Sequence, residues 1–207
     1  DIIDIVLSKG FSLTLVGGCI RDFLLTGTLS KDFDFEIRST RGEELQDFLI
    51  KYESLMKYLT NDFNATIEPL AFSIYRVTIN NCEIEISVPR LEKYHDVDLA
   101  KKHSEFEVQL NPLIDYKSSF LRRDFTINSM GVLFEKSSEV ENMIFIDPFE
   151  GEKDLNHKIL KSQNPDFQLD PVRMLRMLRF KTKYGLNIDP SLKISRFKLQ
   201  HLSFYYL

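Results

Sequence analysis

Cysteine is scarce in this sequence, with only Cys19 and Cys82 in 207 residues. Both lie in apolar segments, so we expect free, buried thiols and a reducing, cytoplasmic location. The four His residues lack the spacing of a metal site. No run approaches the ~20 apolar residues that cross a bilayer, and no signal-peptide pattern opens the chain. These absences argue against a disulfide-rich secreted protein, a zinc module and a membrane protein.

Excess basic charge is also missing, because 27 Lys and Arg face 31 Asp and Glu, for a net charge of −4. Such a chain does not bind nucleic acid through its bulk charge, so any contact of that kind needs a local basic surface. Hydrophobic residues make up 43% of the sequence and include 17 Phe. That content supports one packed domain, or one domain with a helical extension.

The strongest signals lie in residues 15–36. An apolar strand ends at Gly17-Gly18, and a short helical segment follows that Gly27 ends. Glycines lack a Cβ, so the backbone there can approach a ligand closely. The free N–H groups of a helix N-terminus attract phosphate, and Arg21, one turn into the helix, can form a fork onto phosphate oxygens.

Carboxylates alternate with apolar side chains at Asp32–Ile37. In a strand, Phe33, Phe35 and Ile37 then face a core, whereas Asp32, Asp34 and Glu36 face the other way. Two carboxylates on one face repel each other unless a cation lies between them, and Mg²⁺ suits carboxylates when phosphates complete its shell. We therefore predict that Asp32 and Asp34 hold two Mg²⁺ ions about 3.5–4 Å apart for phosphoryl transfer. The alternative is a solvated Asp-x-Asp pattern.

A hairpin is predicted from residues 71–79 and 82–88, with its turn at Asn80-Asn81, two residues that tolerate positive φ. Its second strand places Glu85 on the polar face. If this strand lies beside the Asp32–Glu36 strand, Glu85 is a third carboxylate of the site. An ordinary surface glutamate is the alternative.

Two further segments carry candidate ligand-binding residues. Arg123 can bind phosphate bidentately, and Asp124 can accept a hydrogen bond from a ribose 2′-OH, unless the two belong to a buried ion-pair cluster. Asp170 and Arg173, three residues apart on a predicted helix, can together mimic the pairing edge of a base. Asp170 can equally be an N-cap before Pro171. Further along the helix, Arg176 and Arg179 continue the step of three residues and can bind phosphates, or form a solvated basic face.

The patterns divide the chain into two parts. Residues 1–150 read as an α/β (α+β) head, and residues 151–207 read as an all-helical neck, whose apolar side we place at Leu169, Val172, Leu175, Met177, Leu178 and Phe180. Polar residues 91–111 show little periodicity and are predicted to be a long mobile loop.

These segments resemble one known family. GGCIRDFLLTGTLSKDFDFEI resembles the signature of tRNA nucleotidyltransferases (CCA-adding enzymes) and bacterial poly(A) polymerases. The acidic strand ending in Pro89-Arg90, the Arg-Arg-Asp-Phe-Thr segment at 122–126 and the Asp-Pro-x-Arg segment at 170–173 follow in the family's order. Two departures are a glycine shifted to Gly27 and Leu169 where the family has Glu.

The resemblance implies a nucleotidyltransferase head with a mixed β-sheet flanked by helices. It also implies Mg²⁺-dependent addition of CMP and AMP, from CTP and ATP, to the 3′ end of tRNA. By this resemblance Gly17, Gly18, Arg21, Arg123, Asp124, Asp170, Arg173, Arg176 and Arg179 bind the nucleotide, while Asp32, Asp34 and Glu85 are catalytic. CC-only, A-only or poly(A) addition, a small-molecule or protein acceptor, and an inactive nucleotide-binding module are the alternatives. Family members continue past the neck, so we expect this chain to be a fragment.

Overall fold

A mixed β-sheet forms the centre of the protein. The computed structural model describes residues 2–94, 106–137 and 140–192. Within them, seven strands form one sheet in the order β3-β4-β5-β2-β1-β8-β9. The strands of the chain are β1 Phe11–Val16, β2 Phe33–Ser39, β3 Thr66–Pro69, β4 Ile74–Ile79, β5 Cys82–Ser87, β6 Arg90–Tyr94, β7 Phe106–Leu110, β8 Gly131–Ser137, β9 Val140–Ile146, β10 Ile159–Leu160 and β11 Asn187–Ile188.

Helices flank this sheet, as the sequence predicts. They are α1 Ile2–Ser8, α2 Gly18–Thr26, α3 Leu45–Phe63, α4 Tyr116–Leu121, α5 Gly151–Asn156 and α6 Pro171–Tyr184. Short 3-10 turns cover Ala71–Ser73, Thr126–Asn128 and Phe167–Leu169. None of the helices in the described ranges is long and apolar enough to cross a membrane.

The sheet is mixed because β2 and β5 run parallel, while β1 pairs antiparallel with both β2 and β8. The long connection through α3 allows the parallel pairing, which a short hairpin turn does not. The register places Asp34 directly opposite Glu85. The prediction that these two strands lie side by side is therefore confirmed.

One face of the sheet packs on α3 through large side chains. Phe48, Tyr52 and Leu59 are fully buried against Phe11 and the other core residues. The Tyr52 hydroxyl also donates to the carbonyl of Ile86 at 2.8 Å, so the helix is anchored by a polar contact as well as by apolar area.

The opposite face of β2 is only partly open. Glu36, expected beside Asp32 and Asp34 on the polar face, is fully buried and paired with Arg38. The Arg38 guanidinium donates to the Ser119 hydroxyl at 2.8 Å and lies 4.0 Å from the Tyr116 ring centroid. Because α4 covers this part of the face, only the Asp34 end of the strand is left for a site.

The predicted hairpin is confirmed, with Asn80 and Asn81 at φ 49° and 62°. The prediction of two buried thiols is half right: Cys19 is buried, but Cys82 is exposed because it begins β5 directly beside the turn. Residues 91–111 are not simply a loop, since β6 and β7 pair antiparallel there. The rest of that segment, residues 95–105, lies outside the described residues.

Residues 151–192 are not all-helical as predicted, because β10 and β11 pair in parallel there. In α6 the buried apolar side chains are Met174, Met177 and Phe180. Val172, Leu175 and Leu178, predicted to face inward, are 39–45% exposed. Met177 and Phe180 are buried as predicted, so the buried side of the helix is narrower than the prediction and includes Met174. Residues 193–207 lie outside the described residues, and the boundary at residue 150 stays a prediction.

Candidate active site

The glycine turn between β1 and α2 is held in a conformation that favours glycine. Gly17 has φ 82° and ψ −129°, and its N–H donates to the Met130 carbonyl at 3.0 Å. A Cβ on Gly17 would lie 2.9 Å from Nη1 of Arg123. The Gly17 N–H is thus used inside the protein, and the missing side chain leaves room for Arg123, while contact of the glycine turn with a nucleotide stays a prediction.

We expect Gly17→Ala to destabilise the protein more than Gly27→Ala does. Both glycines have positive φ, but a Cβ on Gly27 meets nothing within 4 Å. Gly27, at ψ 4°, is in the left-handed region, so Gly27→Ala costs about 1–2 kcal/mol. Gly17, at ψ −129°, lies outside that region in a conformation that non-glycine residues rarely adopt, and its alanine must also shift the end of the Arg123 side chain. Urea denaturation of the two variants compares these costs, and equal free energies of unfolding would contradict the prediction.

A cavity of about 280 Å³ opens beside the start of α2. Gly18, Asp32 and Asp34 all line it, so the aspartate pair faces the glycine turn as predicted. Two further carboxylates line the cavity, those of Asp22 and Asp124. Its positively charged side chains are Arg21, Arg123, Arg176, Arg179 and Lys183. Such a mixture of acidic and basic groups suits a ligand that carries phosphates together with a cation.

Asp34 lies in an environment that disfavours its charge. Solvent reaches the side chain, yet the surrounding protein limits its hydration. This partial burial is the main reason that the pKa of Asp34 is raised. Nearby Arg123 opposes the shift, while Glu85 and Asp32 add to it. A carboxylate crowded by two others is a position where a bound cation relieves repulsion.

This shift predicts that Asp34→Asn stabilises the folded protein more at pH 7 than at pH 4. The folded-state pKa lies above the unfolded value of 3.8, so the ionised carboxylate disfavours folding at neutral pH. The penalty disappears as the pH falls through the folded-state pKa towards the unfolded value. Urea denaturation of both proteins at the two pH values measures the difference, and a difference that is independent of pH would contradict the prediction.

Glu85 is close to the aspartates but is engaged elsewhere. Its carboxylate accepts from Arg76 at 2.9 Å, and Arg76 also contacts Glu68 on β3. Within the described ranges, no three or more His, Cys, Asp and Glu side chains gather as a metal site. Asp32 and Asp34 are thus the pair that lines the cavity, and a metal-binding part for Glu85 stays a prediction.

Arg21 joins α2 to α6 instead of standing free for phosphate. Its guanidinium donates to the side-chain carbonyl of Asn128 and pairs with Asp22 at 2.7 Å. It also lies 4.9 and 4.8 Å from the ring centroids of Phe180 and Tyr184. The tyrosine hydroxyl lies 3.1 Å from Asp22, so α6 is fastened to the head at the wall of the cavity.

Asp124 belongs to a largely buried ion-pair cluster, one of the two readings that the sequence left open. One of its oxygens accepts from Nε of Arg176 at 2.6 Å, and the other accepts from the Asn128 side chain at 2.9 Å. Asn128 thereby braces this turn. Asp124 still lines the cavity, and contact with a ribose hydroxyl stays a prediction.

The cationic face of α6 lies further along the helix than the sequence indicated. Arg176, Arg179 and Lys183 line the cavity, and helical spacing of three to four residues puts them on one face. Arg179 makes no ion pair in the part of the chain that the structure describes. Lys183 and Tyr184 were missed, although continuing the spacing from Arg179 and Phe180 would have found them.

The predicted base-reading pair lies outside this cavity. Asp170 caps α6 by accepting from the Val172 N–H at 2.9 Å, and it lies 3.6 Å from Nε of Arg173. Arg173 is buried and donates to the Arg122 carbonyl at 3.0 Å. The acceptor and the donor are adjacent, as a pairing edge requires, but Arg173 faces the protein interior.

Residues 13–161 match the sequence family described as "Poly A polymerase head domain". A multifunctional CCA protein of Neisseria gonorrhoeae (strain ATCC 700825 / FA 1090) is 31% identical over 184 residues, which cover 88% of this chain and 38% of that protein. A CCA-adding enzyme of Francisella tularensis subsp. novicida (strain U112) is 32% identical over 170 residues, which cover 82% and 38%. This chain thus spans less than two fifths of the length of these relatives.

Solved structures show the same fold. A tRNA nucleotidyltransferase complexed with a primer tRNA and an incoming ATP analog is 25% identical with a TM-score of 0.67, over 99% of this chain and 50% of that one. The CCA-adding enzyme of Bacillus stearothermophilus in complex with CTP is 20% identical with a TM-score of 0.64, over 91% and 39%. The second likeness concerns the fold alone.

The family match includes most of the candidate site. The glycine turn, Asp32, Asp34, Glu85 and Arg123 all lie inside residues 13–161. The match covers well over half of the sequence, and the chain therefore belongs to the poly A polymerase head domain family.

Proposed function

We propose that this chain is the catalytic part of an RNA nucleotidyltransferase that works without a template. It transfers CMP and AMP from CTP and ATP to the 3′ end of tRNA, as in CCA addition. The supporting observation is the shared cavity, which is lined both by Asp32 and Asp34 and by the cationic face of α6. The names of the similar proteins supply the substrate class.

The donor set of the cavity fits Mg²⁺. One or two carboxylates together with substrate phosphates are a common way for proteins to hold this ion, and Asp32 and Asp34 supply the carboxylates. The raised pKa of Asp34 reflects the repulsion that a cation relieves. When bound, the ion activates the attacking hydroxyl and neutralises charge on the leaving phosphates.

The cationic side chains have a separate task, which is to orient the triphosphate. Arg179 and Lys183 on α6 and Arg123 on the head approach the cavity from different elements. Charge-assisted hydrogen bonds from such groups fix phosphate oxygens and stabilise developing charge. The 3′-oxygen then forms a bond to the α-phosphorus, the bond to the bridging oxygen breaks, pyrophosphate leaves with the electron pair, and the hydroxyl proton passes to water.

Base selection belongs to Asp170 and Arg173 in this proposal. Their adjacent acceptor and donor match the pairing edge of a base. In the structure Arg173 contacts the Arg122 carbonyl, so base reading requires its guanidinium to turn from that contact towards the nucleotide.

Sequencing of reaction products tests the function. The chain is incubated with tRNA that ends before CCA, Mg²⁺, CTP and ATP, and the new 3′ ends are read. Addition of CCA supports the proposal, whereas CC, A or poly(A) ends assign a related transferase activity. Binding of CTP without incorporation would identify an inactive nucleotide-binding module and overturn the proposal.

A further inference from the structure

Four charged residues stand in one row across the sheet. Glu68 on β3 is opposite Arg76 on β4, and Arg76 is opposite Glu85 on β5. Glu85 is in turn opposite Asp34 on β2. Opposite residues of paired strands project from the same face of a sheet. The row therefore connects β3, an edge strand of the sheet, with the aspartate of the candidate site.

Two like charges are adjacent in this row, those of Glu85 and Asp34. Both side chains line a cavity of about 190 Å³ on this face of the sheet. Asp32 is a third carboxylate near Asp34, and it adds to the same repulsion. Like charges directly opposite each other destabilise a sheet, so the carboxylate of Glu85 needs a counter-charge.

The arginines that line the same cavity pair with other carboxylates. Arg90 and Arg122 lie 2.9 and 3.6 Å from the carboxylate of Glu92. The positive charge of Arg123 acts on Asp34, whose ionised form it favours. Glu85 instead has its close ion pair on the side away from Asp34, with Arg76 at 2.9 Å.

Arg76 binds Glu85 through two of its nitrogens. Nε and Nη2 both donate to Oε1 of Glu85, at 3.3 and 2.9 Å. The same guanidinium donates to Glu68 at 3.0 Å and lies 3.5 Å from Glu83, so it is shared by three carboxylates. Among the residues that the structure describes, Glu85 does not join the aspartates as a cluster of metal ligands. The contact with Arg76 accounts for this, because the strand register alone puts Glu85 beside Asp34.

This ion pair is weak enough to be released. The side chains of Arg76 and Glu85 are 36% and 38% exposed, and ion pairs with such exposure contribute about twofold to fivefold to an equilibrium constant. Glu68 and Glu83 compete for the same guanidinium. Carboxylate oxygens are also preferred ligands of a divalent cation at the aspartate pair. Glu85 therefore has two alternative partners, one on each side of β5.

We propose that Arg76 is a positioning residue that sets the cation affinity of the site by keeping Glu85 away from Asp32 and Asp34. Its guanidinium balances the charge of Glu85 until a divalent cation binds, and Glu85 then leaves Arg76 to become the third carboxylate ligand. This inference rests on the proposed function, because it concerns the cation of the same reaction. It gives a part in the site to a residue of β4 that neither the sequence patterns nor the cavity walls identified.

Titration with Mn²⁺ alone tests the inference, because the electron paramagnetic resonance signal of the free aqueous ion shows how much of it is bound. We expect Arg76→Gln to tighten Mn²⁺ binding about fivefold, since Glu85 no longer has to leave a partner. An unchanged or weaker affinity of this variant would overturn the inference. The same holds if neither the wild-type chain nor the variant binds Mn²⁺.

Two further changes separate positioning from a general effect of charge. Glu68→Gln is the contact control, because it removes another partner of Arg76 and leaves Glu85 held, so we expect no tightening. In the Glu85→Gln protein, we expect the additional change Arg76→Gln to leave the Mn²⁺ affinity as it was. If Arg76→Gln tightens binding equally with and without the Glu85 carboxylate, the arginine acts only through its electric field and the positioning role is wrong.

The outcomes also separate this inference from the proposed function. If the wild-type chain incorporates nucleotide while Arg76→Gln keeps the wild-type affinity for Mn²⁺, the role of Arg76 alone is wrong. If Arg76→Gln tightens Mn²⁺ binding only when Glu85 is present, while the wild-type chain incorporates no nucleotide, the role of Arg76 at the cation site is supported and the proposed activity fails.

Discussion

Asp34→Asn is expected to reduce nucleotide incorporation by more than about 100-fold. Removal of a group that merely supports a metal ligand costs about 10–100-fold in metal affinity or activity, so loss of a ligand costs more. Asp34 lines the cavity beside the start of α2 together with Asp32. The cations of α6 are left in place, so we expect kcat to fall while the KM for CTP changes little.

The matched control is Asp62→Asn, which makes the same chemical change at an exposed residue near the end of α3. Both variants are assayed for label transfer from CTP to tRNA that lacks CCA. Since Asp34→Asn is also expected to stabilise the fold at neutral pH, unfolding does not account for a loss of activity. Activity of Asp34→Asn at the level of Asp62→Asn would remove Asp34 from the reaction.

The largest expected effect on stability is that of Arg38→Met. Glu36 is fully buried and Arg38 is 6% exposed, so removal of the guanidinium leaves a carboxylate enclosed without its counter-charge. Breaking a buried pair from one side costs about 3–5 kcal/mol. The variant also loses the donor to the Ser119 hydroxyl, which fastens α4 over the sheet. Urea denaturation at pH 7 measures the free energy of unfolding.

The double variant Glu36→Leu with Arg38→Met is the control for this prediction. Replacement of a buried ion pair by apolar side chains is often neutral or stabilising, so we expect most of the lost stability to return. If the double variant is as unstable as Arg38→Met, the buried charge is not the cause, and lost packing around Tyr116 has to be considered instead.

Local patterns predicted the glycine turn, the aspartate pair and the hairpin, because each depends on neighbours within a few residues. Gly27 ends α2 with φ 72°, and the Asn80-Asn81 turn has the positive φ values that its residues suggest. Strand alternation placed Glu85 on a polar face that could lie beside Asp34, and the structure supplies the register that pairs the two residues. These features are properties of short segments and of strand alternation.

Such patterns could not predict which polar residues are buried. Alternation placed Glu36 on the polar face, but only the fold shows that α4, about 80 residues later, covers it. Glu92 was assigned to a mobile loop because of its charge, whereas the structure encloses it among arginines. The sequence shows which face a side chain is on, and distant elements decide what covers that face.

The width of the buried stripe of α6 was the other feature that the sequence could not predict. The predicted apolar side included Leu175 and Leu178 together with Met177 and Phe180. The structure buries Met177 and Phe180 but leaves the two leucines exposed, since Phe180 packs on Phe125 at 5.4 Å between ring centroids. This packing places Arg176 and Arg179 at the cavity that Asp34 lines, whereas Arg173 is buried.

The strand order has a consequence for the synthesis of the protein. The central strand β1 needs β2 on one side and β8 on the other, and β8 ends 121 residues after β1 does, at residue 137. Ribosomes add about 5–20 residues per second, so one edge of this apolar strand stays unpaired for roughly 6–24 s, until β8 has been synthesised. During that interval the nascent chain exposes a strand edge that other chains can pair with. A chaperone that shields β1 during translation should therefore raise the yield of folded protein.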